Sequence, residues 1–371
     1  MRLLAQLHRW TGALAGALLA LLGLTGALLV WRNRLTFVQH AGDAPRHDDA
    51  ALARILDALA QGARPVDRVT FAGDGLGVHQ VVFADGSGAY LSQGGEIVAR
   101  WTSIWQRPEL WLFDLHHRLL LGDAGETATG IAGLIGLFFV VSGVLLWWRM
   151  RARFRPRPWP ARMTPGAIVH HHRDLGILTA PLLFLSLLTG VMMVLPSIGQ
   201  LLLSPLGQEE RLRVPEVPPG HVTGARPDMG AMLASARRRF PEAEPRRLQW
   251  PRKPGAPVTL RLRQPFEWTP NGRTFLYFDP ATTAVLGEAD PVDAGAAAWA
   301  REKLYPVHAA RTGGLAWKLA MTASGIALAL LGSLAVYGFW RTRWNIRSAA
   351  RRKRHPYRPA SSPGDGDVTI P

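Results

Sequence analysis

The sequence contains no cysteine, and this absence removes several kinds of chemistry at once. Disulfides, thiolate zinc sites, iron–sulfur clusters, c-type haem attachment and cysteine nucleophiles are all excluded for its 371 residues. The absence does not identify a redox compartment, because a domain outside the cytoplasm can fold without disulfides. Cofactor chemistry would therefore rest on other ligands, and the sequence offers 12 histidines.

Common nucleotide-binding and hydrolase motifs are also missing. The sequence has no Walker motif, no HExxH and no GxSxG elbow. The run Gly73-x-Gly75-x-Gly77 lacks the flanking strand and helix of a dinucleotide fingerprint. Because no segment has the pattern of a flavin or nicotinamide domain, we expect any electron donor to be a separate cytoplasmic reductase or a membrane quinol.

Acidic residues are scarce where basic residues cluster. The formal net charge is +16 at pH 7. Residues 149–173 hold seven Arg and no acid, and residues 341–371 hold seven Arg, one Lys and only two Asp. Both clusters adjoin apolar segments, so the positive-inside rule places them in the cytoplasm. Membrane lipid is therefore the expected partner of this charge, and no nucleic acid is expected.

Four apolar segments reach the length of about 20 residues that spans a bilayer. Tryptophans stand at their ends, as interface anchors do. No convincing cleavage site follows the first segment, which therefore has the pattern of a retained helix and not of a signal peptide. The segments are 13–31, 130–148, 177–195 (with an extension past Pro196 to residue 203 as an alternative) and 315–340. They predict a multi-pass protein of the bacterial inner membrane with both termini in the cytoplasm.

Histidines near the apolar segments recur in matched surroundings. A glycine stands four residues after His8 and after His172, and a Leu-Thr-Gly triplet ends 18 residues after each. A Trp-Arg pair begins 32 residues after His116 and after His308. These offsets predict two tandem repeats in the same orientation, related by a pseudo-twofold axis along the membrane normal.

The predicted fold is thus an α-helical integral membrane protein, a four-helix transmembrane bundle of two parallel repeats. Each repeat carries a small α+β domain outside the cytoplasm, with helices predicted over 50–62 and 229–240 and short strands after them. The expected divisions are membrane helices at 1–35, 115–150, 169–204 and 306–344, outside domains at 36–114 and 205–305, a basic loop at 151–168 and a basic disordered tail at 345–371.

The repeat axis would bring equivalent histidines face to face. His8 would meet His172 on the cytoplasmic side, and His116 would meet His308 on the periplasmic side. Two neutral imidazoles from different helices form the ligand set of a bis-His b-type haem. We therefore expect two haems that together make a transmembrane electron path. A single histidine at a helix end is more commonly an interfacial side chain, and it is the fourfold recurrence that favours ligation.

Neighbouring histidines leave alternatives open. His116 is preferred to His117 because it matches His308, and His172 is preferred to His170 and His171 because only it has the Arg and Gly spacing. The other three remain candidates for second ligands, propionate partners or solvent-facing residues.

Arginines, glycines and methionines near these histidines are further candidates. Guanidinium groups pair well with carboxylates, so the arginines would meet haem propionates, with lipid phosphate as an equal alternative. Small glycines would let helices or a porphyrin approach closely. The methionines would be axial ligands or, more commonly, apolar filling. The residues are Arg9, Arg118, Arg173 and Arg311; Gly12, Gly16, Gly133, Gly176 and Gly325; and Met192, Met193 and Met321.

The motifs LHRWTG, DLHHRLLLG, HHHRDLG and VHAARTGG resemble those of the PepSY-associated transmembrane family, as do the strand–turn–strand segments ending in GGEIVAR and near TTAVLGE. The resemblance covers about residues 1–345 and implies a PepSY-like domain in each outside segment. The family includes inner-membrane haem-containing reductases of ferric siderophores. It therefore implies electron transfer to a periplasmic ferric siderophore or other iron chelate, with release of Fe(II) for iron uptake.

The same family includes members without an assigned activity, which gives a second hypothesis. Under that hypothesis the protein is not an enzyme, and its PepSY domains bind or regulate a periplasmic peptide, protease or envelope partner. A structural scaffold is a third hypothesis. A haem spectrum would separate the first hypothesis from the other two.

Overall fold

The computed structural model describes residues 1–154, 156, 162–207, 214–218 and 227–354. The helices in chain order are α1 (Arg2–Leu29), α2 (Asp49–Gln61), α3 (Pro108–Arg118), α4 (Gly122–Trp148), α5 (Pro165–Val194), α6 (Pro196–Leu203), α7 (Met229–Arg239), α8 (Ala296–His308) and α9 (Gly314–Arg354). The strands are β1 (Val66–Thr70), β2 (His79–Phe83), β3 (Gly88–Leu91), β4 (Ile97–Trp101), β5 (Glu244–Gln249), β6 (Val258–Arg263), β7 (Thr274–Phe278) and β8 (Val285–Ala289).

Helices α1, α4, α5 and α9 are long and apolar enough to cross a membrane, as the hydropathy pattern predicts. The chain is a multi-pass membrane protein. Helix α9 continues to Arg354, so the start of the tail expected from residue 345 is helical. Residues 355–371, the remainder of that tail, lie outside the described residues, as do residues 155 and 157–161 of the basic loop.

His116 and His308 do not belong to the membrane helices, which corrects the expected helices 115–150 and 306–344. His116 lies in α3, and Leu119 and Leu120 then take positive φ values of 50° and 60° before α4 begins. His308 is the last residue of α8, and Ala310 has a φ of 51° before α9. A left-handed residue cannot continue a right-handed helix, so each histidine reaches the bundle from a short separate helix.

The two outside segments share one sheet instead of forming two separate domains. Its antiparallel strand order is β4-β3-β2-β1-β5-β6-β7-β8. Strands β1 and β5 join the halves, with Thr70 opposite Arg247 and Arg68 opposite Gln249. An exposed strand edge presents unpaired backbone N–H and C=O groups. Strand β1 covers the edge of β5 and strand β5 covers the edge of β1, so the two halves form one continuous sheet.

One hydrophobic core lies between this sheet and helices α2 and α7. Leu56 and Met229 from the helices and Leu248, Leu260 and Phe278 from the strands are fully buried there. Alternation along the strands directs every second side chain to the core and leaves the next on the opposite, polar face. A salt bridge of 3.0 Å between Arg237 of α7 and Asp49 of α2 joins the two helices.

The polar face of the sheet is tied to the short helices α3 and α8. The Tyr90 hydroxyl donates to Glu109 of α3 over 2.9 Å. The backbone N–H groups of Trp268 and Thr269 both donate to the Glu302 carboxylate of α8 over 2.6 Å. These contacts attach the sheet to the helices that carry His116 and His308.

Glycines bring the membrane helices into close backbone contact. A Cβ on Gly23 of α1 would lie 2.6 Å from the Gly325 carbonyl of α9, and a Cβ on Gly325 would lie 2.6 Å from the Gly23 carbonyl. A Cβ on Gly16 would lie 2.8 Å from the Gly332 carbonyl. Small residues at such positions are the usual means of packing helices closely in a membrane.

We expect Gly23→Leu to destabilise the bundle, because a side chain there must push α9 away. Overpacking of this kind costs about 1–3 kcal/mol. The measurement is the thermal unfolding midpoint of the purified protein in detergent. Ala17→Leu is the matched control, since Ala17 lies on an exposed side of the same helix. Equal midpoints for the two variants would contradict the packing account.

Candidate functional site

The structure brings the four histidines together as two opposed pairs. On the membrane side opposite the sheet, His8 of α1 and His172 of α5 have ring centres 6.2 Å apart, with the rings inclined at 85°. On the sheet side, His116 of α3 and His308 of α8 have ring centres 6.3 Å apart, inclined at 42°. The pairs therefore lie near opposite faces of the bundle.

These separations suit two imidazoles that share one metal ion. A metal–imidazole bond is about 2.0 Å and the ring centre lies about 1.1 Å beyond the nitrogen, so opposed ligands have ring centres roughly 6 Å apart. No group of three or more His, Asp or Glu side chains in the described parts of the chain is arranged to hold a metal ion. An ion held by one pair would have two protein ligands, as bis-His haem iron does.

Hydrogen bonds fix the tautomers of the two histidines on the sheet side. His116 Nδ1 lies 2.9 Å from the Thr25 hydroxyl, and His308 Nδ1 lies 3.2 Å from that of Thr189. Each hydroxyl donates to the carbonyl four residues earlier in its own helix, so it accepts from the imidazole. His308 Nδ1 also donates to the Ser186 carbonyl over 3.0 Å. Both Nδ1 atoms therefore carry the proton, and the Nε2 lone pairs remain available to a metal.

His8, one member of the other pair, has the same arrangement. His8 Nδ1 lies 2.7 Å from the hydroxyl of Ser142 in α4. That hydroxyl donates to the Phe138 carbonyl over 2.6 Å, so it too accepts from the imidazole. A hydrogen-bonded Nδ1–H is the usual means of orienting a ligating histidine.

The two Leu-Thr-Gly triplets hold the histidines on the sheet side. Besides the threonine contacts, a Cβ on Gly26 would lie 3.0 Å from Cε1 of His116, and one on Gly190 would lie 3.0 Å from Cε1 of His308. The sequence showed these triplets only as markers of a repeat. Their equal offset from His8 and His172 was the available signal that they share a role.

Burial keeps the histidines on the sheet side neutral. It lowers the pKa of His116 to about 3, with smaller contributions from the neighbouring His308 and His117. Burial also lowers the pKa of His308. A neutral imidazole is the form that binds a metal, so burial favours the ligating state of both rings.

A cavity of about 800 Å³ adjoins His8 and His172. Its lining is mainly apolar, and Gly12, Gly16 and Gly176 contribute to its walls without side chains. Pockets for drug-sized ligands and cofactors are typically about 300–1,000 Å³. The volume, the apolar lining and the two opposed imidazoles together fit a flat macrocycle such as a porphyrin.

The four predicted arginines fall into two groups. Arg9 and Arg173 line the cavity beside His8 and His172, and Arg173 also pairs with Asp174 over 2.6 Å. By contrast, Arg118 pairs with Glu126 over 3.2 Å, and Arg311 lies 3.5 Å from Asp74. Arg118 and Arg311, like Arg173, therefore each have a protein carboxylate beside them.

The alternative ligands lie in other surroundings. His117 stacks on Phe113 with ring centres 5.6 Å apart and lies 3.7 Å from Glu126, away from the pair. His170 is exposed at the cavity wall, whereas His171 is buried. The methionines pack in apolar clusters: Met192 and Met193 with Leu203 and Leu304, and Met321 with Val30 and Ala310.

Comparison with known proteins places this architecture in a family. No curated protein matches the sequence. The family model described as the PepSY-associated TM region matches residues 5–343. The matched range includes the membrane-spanning parts of α1, α4, α5 and α9, the whole sheet and both histidine pairs. The chain therefore belongs to the PepSY-associated transmembrane family.

Proposed function

We propose that this protein is a di-haem b-type reductase of the bacterial inner membrane that passes electrons to a periplasmic ferric chelate, in particular a siderophore. The observation that carries the proposal is the pair of opposed imidazoles near each face of the bundle. Three of the four histidines have a protonated Nδ1 and an available Nε2. Histidines that only stabilised helix ends would not need to face each other in pairs, and they would not need to share a tautomer.

The proposal includes two parallel repeats, related by an axis that passes between the histidines of each pair. Support comes from equivalent contacts in the two halves. In the proposed repeat α5 corresponds to α1, and α9 corresponds to α4. Helix α1 packs on α9, and α5 packs on α4 in the equivalent way, with glycines at both contacts. The strand order is symmetric about the β1–β5 junction. Thr25 and Thr189 make the same contact with His116 and His308.

In this proposal His8 and His172 hold one haem, and His116 and His308 hold the other. The haems would supply reversible one-electron chemistry at iron. The chain's own residues orient the imidazoles through Ser142, Thr25 and Thr189, and the apolar cavity wall excludes water. Arg9 and Arg173 stand where propionates would meet the aqueous edge.

The overall reaction transfers one electron to each ferric chelate and converts Fe(III) to Fe(II). A quinol would give up two electrons and two protons and so reduce two chelates; a cytoplasmic reductase is the other class of donor. Oxygen ligands are hard donors and hold Fe(II) less strongly than Fe(III), so reduction releases the metal. The basic segments 149–173 and 341–371 support an orientation with both termini inside and the sheet in the periplasm.

Haem content is the direct test of the proposed function. The detergent-purified protein, once reduced, should show a Soret band and an α-band, with two haems per chain by extraction. His116→Ala and His308→Ala should each remove one haem and spare the other, because each deletes an axial ligand of the sheet-side pair. His117→Ala is the matched control and should keep both. Absence of haem bands from the purified protein would contradict the reductase proposal. It would favour the non-enzymatic function, in which the PepSY domains bind or regulate a partner.

The threonines that orient His116 and His308 can be tested separately. Thr25→Val keeps the side-chain shape but removes the acceptor of the His116 Nδ1 proton. Loss of such a partner typically weakens metal binding about 10–100-fold, so we expect a weaker sheet-side haem and a shifted midpoint potential.

Thr11→Val is the control for that variant, since the Thr11 hydroxyl bonds only to carbonyls of its own helix. Potentiometric titration of the α-band measures both variants. Equal potentials for Thr25→Val and the unmodified protein would show that the threonine does not tune the site.

A further inference from the structure

The polar face of the sheet carries arginines at the junction of its two halves. Arg247 of β5 stands directly opposite Arg261 of β6, and opposite Thr70 of β1 on its other side. Arg68 of β1 lies on the same face, opposite Gln249. We call Arg68, Arg247 and Arg261 the arginine cluster. Like charges directly opposite each other on one sheet face are destabilising.

The two guanidinium groups at the centre of this cluster are hydrogen-bonded to uncharged groups, and the acids near them, Asp67 and Glu267, act only at longer range. Arg68, at the edge of the cluster, pairs with Asp67. Arg247 Nε donates to the Thr70 hydroxyl over 3.1 Å, and Arg261 Nε donates to the Gly272 carbonyl over 2.6 Å. In the parts of the chain that the structure describes, neither forms a salt bridge with a carboxylate. Burial and neighbouring arginines lower the pKa of Arg247 and of Arg261 to about 10, so both stay charged at neutral pH.

The cluster lies on the face of the sheet that is directed toward the helices carrying His116 and His308. Arg247 is within electrostatic range of Arg32, which follows α1, and of Tyr305, three residues before His308 in α8. The Arg32 guanidinium in turn lies 5.0 Å from the ring of Phe113, three residues before His116. The positive charge is therefore concentrated between the sheet and the two helices that carry His116 and His308.

We propose that the arginine cluster binds an anionic ferric chelate, one whose outer groups are carboxylate or phenolate oxygens. Guanidinium groups form paired hydrogen bonds with such oxygens. A negative ligand would offset the repulsion between Arg247 and Arg261, whereas a cationic chelate would add to it. This assignment rests on the proposed function, whose substrate class it specifies, and it places the chelate next to the sheet-side pair.

A low-molecular-weight ligand suits the position better than a lipid headgroup does. Arg68, Arg247 and Arg261 are half-buried between the sheet and the short helices, instead of lying on an exposed rim. Two like charges held directly opposite each other lower stability, and proteins usually retain a cost of this kind where function requires it.

Gallium(III) citrate is the probe, because gallium(III) is not reduced and binding can be measured without electron transfer. The full-length protein in a non-ionic detergent is titrated by calorimetry. We expect the Kd of the double variant Arg247→Gln, Arg261→Gln to rise by about 100-fold, roughly tenfold for each charge-assisted hydrogen bond removed. The double variant Arg247→Lys, Arg261→Lys keeps the charge but loses the paired donors, so its Kd should rise by less than that of the Gln,Gln variant.

Arg238→Gln is the matched control, since Arg238 is exposed on α7 on the other side of the sheet. It should bind gallium citrate like the unmodified protein. The Gln,Gln variant should also unfold at the same temperature or a higher one, because it removes a repulsion; this separates a loss of binding from a loss of folding. Affinity of the unmodified protein should fall as salt is raised.

Three results would overturn the proposal. The first is an unchanged Kd in the Gln,Gln variant. The second is equal or tighter binding of a cationic gallium trihydroxamate by the unmodified protein. The third is arginine-dependent binding of phosphatidylglycerol vesicles with no binding of gallium citrate. The haem spectrum does not depend on these arginines. Two haems without chelate binding would therefore refute only this inference, and chelate binding without haem would refute only the reductase.

Discussion

The opposed packing of neutral imidazoles inside the bundle is the constraint on which the rest of the structure depends. Four histidines must lie in an apolar environment, and burying a polar ring without a hydrogen bond is costly. For His8, His116 and His308 that cost is offset by one hydroxyl each, from Ser142, Thr25 and Thr189. Each hydroxyl is itself satisfied within its own helix, so the network closes and leaves only Nε2 available.

Helix packing makes room for this arrangement. Gly16 and Gly23 draw α1 against α9, and glycines of α4 meet the side chains of α5 in the same way. Because α1 packs closely on α9 and α5 packs closely on α4, a space remains between the two helix pairs. The cavity lies in that space, at the end of the bundle that carries His8 and His172. The histidines on the sheet side need no such opening along the membrane helices, because α3 and α8 bring them in from outside.

Much of this organisation could be predicted because it is encoded locally or by equal spacing. Hydropathy located α1, α4, α5 and α9, and the matched offsets selected His116 over His117, which the structure places against Phe113. The separate helices α3 and α8 were missed although Gly122, Gly313 and Gly314 have positive φ and mark the two turns in the sequence. Leu119 and Ala310, where the positive φ begins, are residue types that give no turn signal.

The shared sheet was missed for a different reason. It depends on the pairing of β1 with β5, strands far apart in sequence whose side-chain alternation would suit an edge strand equally well. The same limit applies to Arg118 and Arg311. Charge pattern alone could not reveal that Glu126 and Asp74 lie beside them. The β1–β5 pairing and the Arg311–Asp74 contact join distant parts of the chain, and the Arg118–Glu126 contact depends on the turn between α3 and α4. Neither residue type nor spacing determines these contacts.

Joining the two halves of the sheet has a chemical consequence. The β1–β5 junction is what places Arg68 and Arg247 on one surface, with Arg261 on the next strand. In two separate domains Arg68 would be apart from Arg247 and Arg261, which face each other across β5 and β6 of the second half. The continuous sheet brings all three to one surface. A ligand that binds the folded state alone stabilises it, so an anion at this junction would also hold the halves together. Ligand binding and the integrity of the sheet are therefore coupled through the same arginines.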